Sequence, residues 1–507
     1  MLRPLLLLVA LAVILALPGG ASALTPAQLR ALGAGPCPNA ASTFRCLAVT
    51  VPLDHFDPAD PATLDVIVGV HPASAVPSKG LLVTAVGGPG ASGLTDADSL
   101  LTMWSDAIVT HYDIVYFDQR GMGESDGIYC PRAVLGARRA EGAATFDRIA
   151  SGRRFARRCV AELDAPTLLP HLGTDQAAED LERIRQRLGS PPMTLYGTSY
   201  GTQLAAAYAR RHPEGLRGLI LDGVVDTSLS APAFWASAAR SFESVLDETL
   251  AVCGRRPACQ RDMPQGARTV YDQLDARLAR GPIRVAGGTG LLTRSLLQTY
   301  IASSLYSTGG RADILRDLAR VAHGDYSRLV EGAWIAAGVD PATWQLLNTG
   351  LSYASYFGVQ CADSRSYPGT SDERAAQWTA TGDLIDRQLP RMGRFVFEND
   401  LPCAWWPDPP ALAEPPAPLV AAGIPTIILT ATGDPITPHT QGEAVFRALA
   451  EGHLIRTTGS GHVTLWPDAP CSYAPVEQLL LHHRLPAAST TACPGRLVGP
   501  YGRSISG

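Results

Sequence analysis

The sequence predicts an α/β protein, a mostly parallel sheet with helices on both faces and a large inserted helical cap. Three observations predict it. Short apolar runs alternate with segments of helical period from about residue 46 to residue 221, the pattern of a parallel sheet buried on both sides. A glycine-bracketed serine, Gly197-Thr198-Ser199-Tyr200-Gly201, stands between one such run and a helix. The stretch 227–421 then turns to helical period before an apolar strand resumes at Thr426. That stretch is far too long for a loop inside a compact domain, so it reads as a cap inserted between two strands. The implied division is a leader at 1–23, a first core part at 24–226, the cap at 227–421 and a second core part at 422–507.

The leader comes first. Arg3 gives a small positive start, Leu5 to Leu17 is almost unbroken apolar sequence, and Ala21-Ser22-Ala23 has the small-x-small form of a cleavage site. The mature chain is therefore expected to begin near Leu24. An uncleaved N-terminal anchor is the alternative, although the run is short beside the roughly 18 apolar residues of a membrane span. Export to a periplasm, cell envelope or medium agrees with ten cysteines in the chain. They fall in local couples, and neighbour pairing is expected: Cys37/Cys46, Cys130/Cys159, Cys253/Cys259, Cys361/Cys403 and Cys471/Cys493. No clustered Cys/His pattern suggests a metal, and no cofactor is expected. A net charge of −5, with 18% charged residues, excludes a field that would gather nucleic acid or an anionic membrane.

Strands are expected at Cys46–Leu53 and Leu64–Val70, with Asp-Pro punctuation between them. A third, Gly80–Val86, ends in Gly87-Gly88-Pro89-Gly90, where the backbone can approach a ligand and aim amides at it. The next strand, Asp113–Phe117, is followed by Asp118-Gln119-Arg120-Gly121, whose Asp118 and Arg120 are expected to pair and fix the loop. Residues 130–170, polar and arginine-rich with little period, read as a disulfide-tied surface excursion. Thr174 reads as the N-cap of a helix with Leu181, Ile184 and Leu188 on one face. Met193–Tyr196 is the strand before the serine, Leu204–Tyr208 lies in the helix after it, and Arg217–Leu221 is the next strand. Within the cap, Ile314, Leu315, Leu318 and Val321 keep helical spacing, and 407–418 is a proline-rich return linker. The sheet resumes at Thr426–Leu429, a helix follows at His439–Ala450, and a strand at His453–Arg456. The Gly/Ser-rich tail is expected to be loose.

The chemistry follows from placement. A serine hydroxyl needs an adjacent base, and a strand–turn–helix holds Ser199 clear of the sheet. His462, on a glycine-flanked loop after a strand, is the expected base. Asp434, at the end of a strand, is expected to accept its other imidazole N–H. The amides of Tyr200 and Gly88 are expected to form the oxyanion hole, a contribution of roughly 3 kcal/mol per donor. Thr437 is expected either to bond around Asp434 or to stabilise its own turn.

Taken in order, Gly87-Gly88-Pro89-Gly90, Asp118-Gln119-Arg120-Gly121, Gly197-Thr198-Ser199-Tyr200-Gly201-Thr202, Gly433-Asp434 with Thr437-Pro438, and Gly461-His462 resemble the prolyl/tripeptidyl aminopeptidase family of α/β-hydrolases. The likeness runs from about Cys46 to Cys493 and is nearest to secreted bacterial members with a C-terminal TAP-like segment. One departure is Ala85-Val86 before the Gly-Gly-Pro-Gly, where prolyl members usually carry His and secreted relatives often Asn-Pro. The resemblance implies an α/β-hydrolase fold and release of short peptides from a free N-terminus through an acyl-enzyme. Recognition of a terminal ammonium requires a carboxylate in the cap or at its rim. Asp363 is the first candidate, with Glu398 and Asp226 behind it. A secreted esterase with the same triad is the nearest alternative. A non-catalytic binding module on the same fold is the other, and it should lack a triad member.

Overall fold

The computed structural model describes residues 24–38, 42–189, 191–285, 291–348, 350–364, 367–408 and 417–505. The expected leader and most of the return linker lie outside these residues. Among the described residues, ten strands form one sheet, in the order β1-β2-β3-β5-β4-β6-β7-β10-β11-β12. They are β1 (Gly35–Pro36), β2 (Arg45–Pro52), β3 (Thr63–His71), β4 (Leu81–Ala85), β5 (Asp113–Phe117), β6 (Met193–Thr198) and β7 (Leu216–Asp222). A small ribbon, β8 (Ile283–Arg284) with β9 (Leu291–Leu292), stands apart from the sheet, in the chain after β7. The sheet then continues with β10 (Thr426–Ala431), β11 (His453–Thr457) and β12 (Thr490–Cys493). Pairing is antiparallel from β1 through β3 to β5 and parallel across the rest.

The strands read as continuous apolar runs because both faces are covered. Val83, Val115, Leu195, Leu219 and Ile428 pack into one core. Their alternates Leu82, Ile114, Tyr196, Ile220 and Leu429 pack into another, on the opposite face. The strand order reverses around β4, so the loops leaving β4 and β6 rise side by side from paired strands, Ala85 opposite Gly197. In open α/β sheets such a switch point at the strands' C-terminal ends is where ligands bind.

Helices from Ala231 to Phe397, followed by a 3₁₀ turn to Trp405, occupy the chain between β7 and β10. All five disulfides join the neighbour couples expected from the sequence. They mark a protein that matures outside a reducing cytosol. No described helix is long and apolar enough to cross a membrane.

Four expectations are corrected. Residues 131–162 are two helices, Pro131–Glu141 and Arg148–Glu162, not an irregular excursion. Their apolar face is short, yet Phe155 is buried against Phe357 and Trp406 of the insertion. Asp118 and Arg120 do not pair with each other. Arg120 forks onto Asp180, at 2.6 Å to each oxygen, while Asp118 accepts from Ser92 Oγ and the amides of Leu94 and Glu124. Both remain structural. Thr174 is not an N-cap; it is the first helical residue, and its amide is capped by Asp363 from the insertion at 2.7 Å. Nor is the tail loose as far as Ile505. Arg256 donates to the carbonyls of Val498 and Gly499, and Tyr501 Oη to Asp262.

Candidate active site

Ser199 sits between β6 and the helix Tyr200–Arg211 with φ 54° and ψ −124°, a left-handed strained conformation. Its amide donates to Asp222 O at 2.9 Å, and its carbonyl accepts from the Thr202 amide and hydroxyl. Such a turn closes only with glycine on both sides. A Cβ on Gly197 would stand 2.5 Å from Gly201 O, and one on Gly201 would collide with Ala85 O of β4. The turn thereby presents the hydroxyl above the sheet beside Gly87 and Gly88. Tyr200 is the first residue of its helix, so its amide has no acceptor within that helix. Gly88 takes φ 116°, which an L-residue rarely adopts. Gly88, Ser199, Tyr200 and His462 all line one cavity.

His462 Nδ1 lies 2.8 Å from Asp434 Oδ2. The other carboxylate oxygen of Asp434 accepts from the amides of Ile436 and Thr437, and Thr437 Oγ1 donates to Oδ2 at 2.8 Å. Thr437 therefore both makes the turn and bonds the acid. Asp434 is 1% exposed, so its carboxylate is fully turned inward. Burial pushes the His462 imidazole down, but the charge and hydrogen bond of Asp434, with the charge of Asp222, outweigh it and hold the ring above its ordinary value.

Asp222 is a second strand-end aspartate that the sequence reading passed over. It ends β7 as Asp434 follows β10, but it takes the amides of Thr464 and Leu465, just beyond His462, at 2.8 Å. Burial lifts its carboxyl to about 6 against those bonds. Asp434 orients the ring and Asp222 holds the loop that carries it. An aspartate beside a glycine at or just after a strand end, Asp222-Gly223 as well as Gly433-Asp434, was the available signal; its meaning depended on which carboxylate reaches the ring.

The helical insertion grips the same two loops from above. Arg311 is fully buried, and its guanidinium donates to the carbonyls of Leu305, Gly433, Ser460 and Leu497. Ser241 Oγ donates to Asp434 O at 2.8 Å. Tyr306 O accepts the His462 amide at 2.9 Å, and its ring meets the imidazole edge-on at 5.3 Å. Nothing local in the sequence marks these partners.

The cavity is about 1280 Å³, with Phe234, Trp235, Phe242, Tyr306 and Tyr356 among its walls. That exceeds the roughly 300–1,000 Å³ usual for small-molecule sites. Its ionisable lining is Asp175, Asp226, Asp363, Asp400 and Arg210 beside His462 and the tyrosines; Asp175 stands 3.7 Å from Arg210. Asp363 does face the cavity, but its oxygens accept from the Thr174 amide and hydroxyl and from Gln203. Burial pushes it up to about 7. Thr174 Oγ1 in turn meets Tyr200 Oη at 2.7 Å, so Asp363 ties the insertion to the helix behind Ser199. Glu398 is a correction: it is buried beside Arg148 at 3.4 Å and is not part of the cavity wall. Asp226 lines the wall and caps Ser228 with one oxygen.

Asp400, two residues beyond Glu398, is the carboxylate that the sequence reading missed. It is completely buried in the wall, and its partners are neutral: Trp235 Nε1 at 2.6 Å, Asn399 Nδ2 and Gln360 Nε2. Burial raises it to about 6. The 3₁₀ turn Glu398–Trp405 decides which acid of Glu398-Asn399-Asp400 faces inward.

Residues 87–265 match the family model described as alpha/beta hydrolase fold, and residues 389–493 that of TAP-like protein. The chain is 29% identical over 468 residues to serine protease Hip1 of Mycobacterium tuberculosis, covering 84% of this chain and 83% of that one. It is 28% identical to carboxylesterase B of the same organism, covering 89% and 87% of the two chains. It is 26% identical to a tripeptidyl aminopeptidase of Streptomyces lividans, covering 90% and 85%.

Proposed function

The chain is an α/β-hydrolase enzyme with a TAP-like C-terminal segment, and from that premise we propose that it is an exported serine exopeptidase that releases short peptides from a free N-terminus. Relatives named serine protease and tripeptidyl aminopeptidase support the peptidase reading. In it Ser199 attacks the scissile carbonyl while His462 takes the hydroxyl proton, its tautomer held by Asp434. The developing oxyanion is received by the amides of Gly88 and Tyr200. Protonated His462 then gives its proton to the leaving amine, and water, activated in the same way, hydrolyses the acyl ester to release the peptide acid and restore the Ser199 hydroxyl.

The observation that carries the exopeptidase reading is Asp400, a buried carboxylate with neutral partners in a large aromatic-walled chamber. A buried anion of this kind is completed by a cation, and a peptide's α-ammonium supplies both the charge and the N–H donors. Asp226 also lines this chamber and adds to its negative potential. Aromatic surfaces beside them suit the side chains of an extended peptide.

The test compares chromogenic peptide amides bearing a free N-terminus with the same peptides N-acetylated. Free peptides are expected to be cleaved and acetylated ones not. Asp400→Asn is expected to lower kcat/KM for free peptides on the order of 100-fold, the scale of truncating a buried charge pair. Equal turnover of both sets, or turnover only of p-nitrophenyl esters, would transfer the protein to the esterase reading that the carboxylesterase relative keeps open.

The pH dependence has a definite sign. His462 accepts a proton only when neutral, and its pKa is raised above 6.5 in the folded protein. Acylation is therefore expected to be full above that raised pKa and to fall as pH drops through it. Asp434→Asn removes the charge that raises the pKa, so the acid limb should move to lower pH. A kcat/KM profile flat to pH 4 would remove His462 from the role of base.

A further inference from the structure

Leu24 carries a feature that the catalytic site does not use. Its backbone nitrogen lies 3.2 Å from Asp113 Oδ1, and its side chain is buried in the main core. Asp113 opens β5 and is 1% exposed. Its other partners are the Ala73 amide at 3.0 Å and Ser78 Oγ at 3.1 Å. Among the described residues no cation pairs with it. Lys79, His111 and Arg217 share that end of the sheet but are joined to one another through backbone: Lys79 N to His111 O, and Arg217 Nη1 to Lys79 O. By contrast, the buried Asp180 holds the full fork of Arg120. A buried carboxylate with only neutral donors is costly, and burial pushes Asp113 above the usual carboxylate range.

The sequence places the expected cleavage at the peptide bond joining Ala23 to Leu24, the residue whose nitrogen rests on Asp113. Hydrolysis of that bond by a signal peptidase consumes one water. The carboxylate leaves with Ala23, and Leu24 keeps an α-ammonium with three N–H donors. We propose that maturation completes a buried ion pair between the new α-ammonium of Leu24 and the carboxylate of Asp113, so that removal of the leader is itself a stabilising modification of the fold. The proposal rests on the export reading. β5 begins at the opposite end of the sheet from Ser199, so the pair acts on stability and leaves turnover per folded molecule unchanged.

The pair has a signed pH signature. An α-ammonium held by a carboxylate titrates above the ordinary value of about 8. Its stabilisation is present below that ordinary value and is lost as pH rises through the raised one.

The experiment exports the full chain and reads the N-terminus by mass spectrometry. Lys79 is the only lysine, so an amine-reactive label reports the α-amine cleanly. The expected result is a chain beginning at Leu24 whose α-amine, at pH 8 in the folded protein, labels at least tenfold more slowly than in urea. Asp113→Asn is expected to lower the urea midpoint of the mature chain, but to do so much less in a chain exported with Gly-Ser before Leu24. A processed terminus at another residue would overturn the proposal alone, as would α-amine labelling at the unfolded rate or an equal loss in both chains. An exported chain that still begins at Met1 would overturn both the proposal and the cleaved-leader reading. If Asp113→Asn does not fold, the labelling comparison on the unaltered mature chain still decides.

Discussion

Ser199→Ala is expected to leave the fold intact and to abolish turnover, with kcat falling on the order of 10⁶-fold. The substitution removes one oxygen from the cavity wall. It leaves the strained turn held as before by Gly197, Gly201 and the bond from the Ser199 amide to Asp222 O. Asp434→Asn should cost about 10⁴-fold in kcat while KM moves little. An amide in place of the carboxylate bonds the imidazole in the wrong tautomer, so that Nε2 carries the proton in place of a lone pair. Chromogenic amides, with circular dichroism as the control for folding, measure both. A Ser199→Ala enzyme that retained appreciable turnover would remove the triad from the mechanism.

Arg311→Met carries the largest expected effect away from the reacting atoms. The guanidinium joins carbonyls from four segments: Leu305 in the insertion, Gly433 before Asp434, Ser460 before His462, and Leu497 in the tail. Methionine fills most of the volume but donates nothing, leaving these acceptors buried without their partner. A loss of roughly 3–5 kcal/mol is expected, the scale of breaking a buried charged network. Activity should fall by more than the loss of folded protein, because Gly433 and Ser460 belong to the loops that carry Asp434 and His462. Measured on the folded fraction, kcat should drop with KM nearly constant. Arg311→Lys, which keeps a charge but can bond only some of the carbonyls, should lie between. An Arg311→Met protein with normal kcat and normal denaturant midpoint would show that the loops hold themselves.

Much of this was legible along the chain. The Ser199 turn announces itself because a strained φ between strand and helix demands small neighbours on both sides, and Gly197 and Gly201 are adjacent in sequence. The runs at Leu81–Ala85, Asp113–Phe117 and Thr426–Ala431 needed no partner to be read, since a strand covered on both faces is buried at every position and therefore mostly apolar. Neighbour cysteines close short loops, from 6 to 42 residues, and short loops lose least entropy on closure. The segment 131–162 misled because arginines on its outer face hide a narrow apolar stripe.

By itself, then, the sequence determined the α/β class, the serine turn, the order Ser199, Asp434, His462 and the helical insertion. Each is written in local period or in neighbouring residues. The tertiary structure alone decided that a second strand-end acid, Asp222, takes the amides of Thr464 and Leu465 and so holds the loop that carries His462. It also decided that Asp400 and not Glu398 faces the cavity, that Asp363 caps a helix 189 residues distant, and that Asp113 receives the nitrogen of Leu24. Those contacts have no sequence period, because they depend on where the sheet's register and the helical insertion bring separate parts of the chain together.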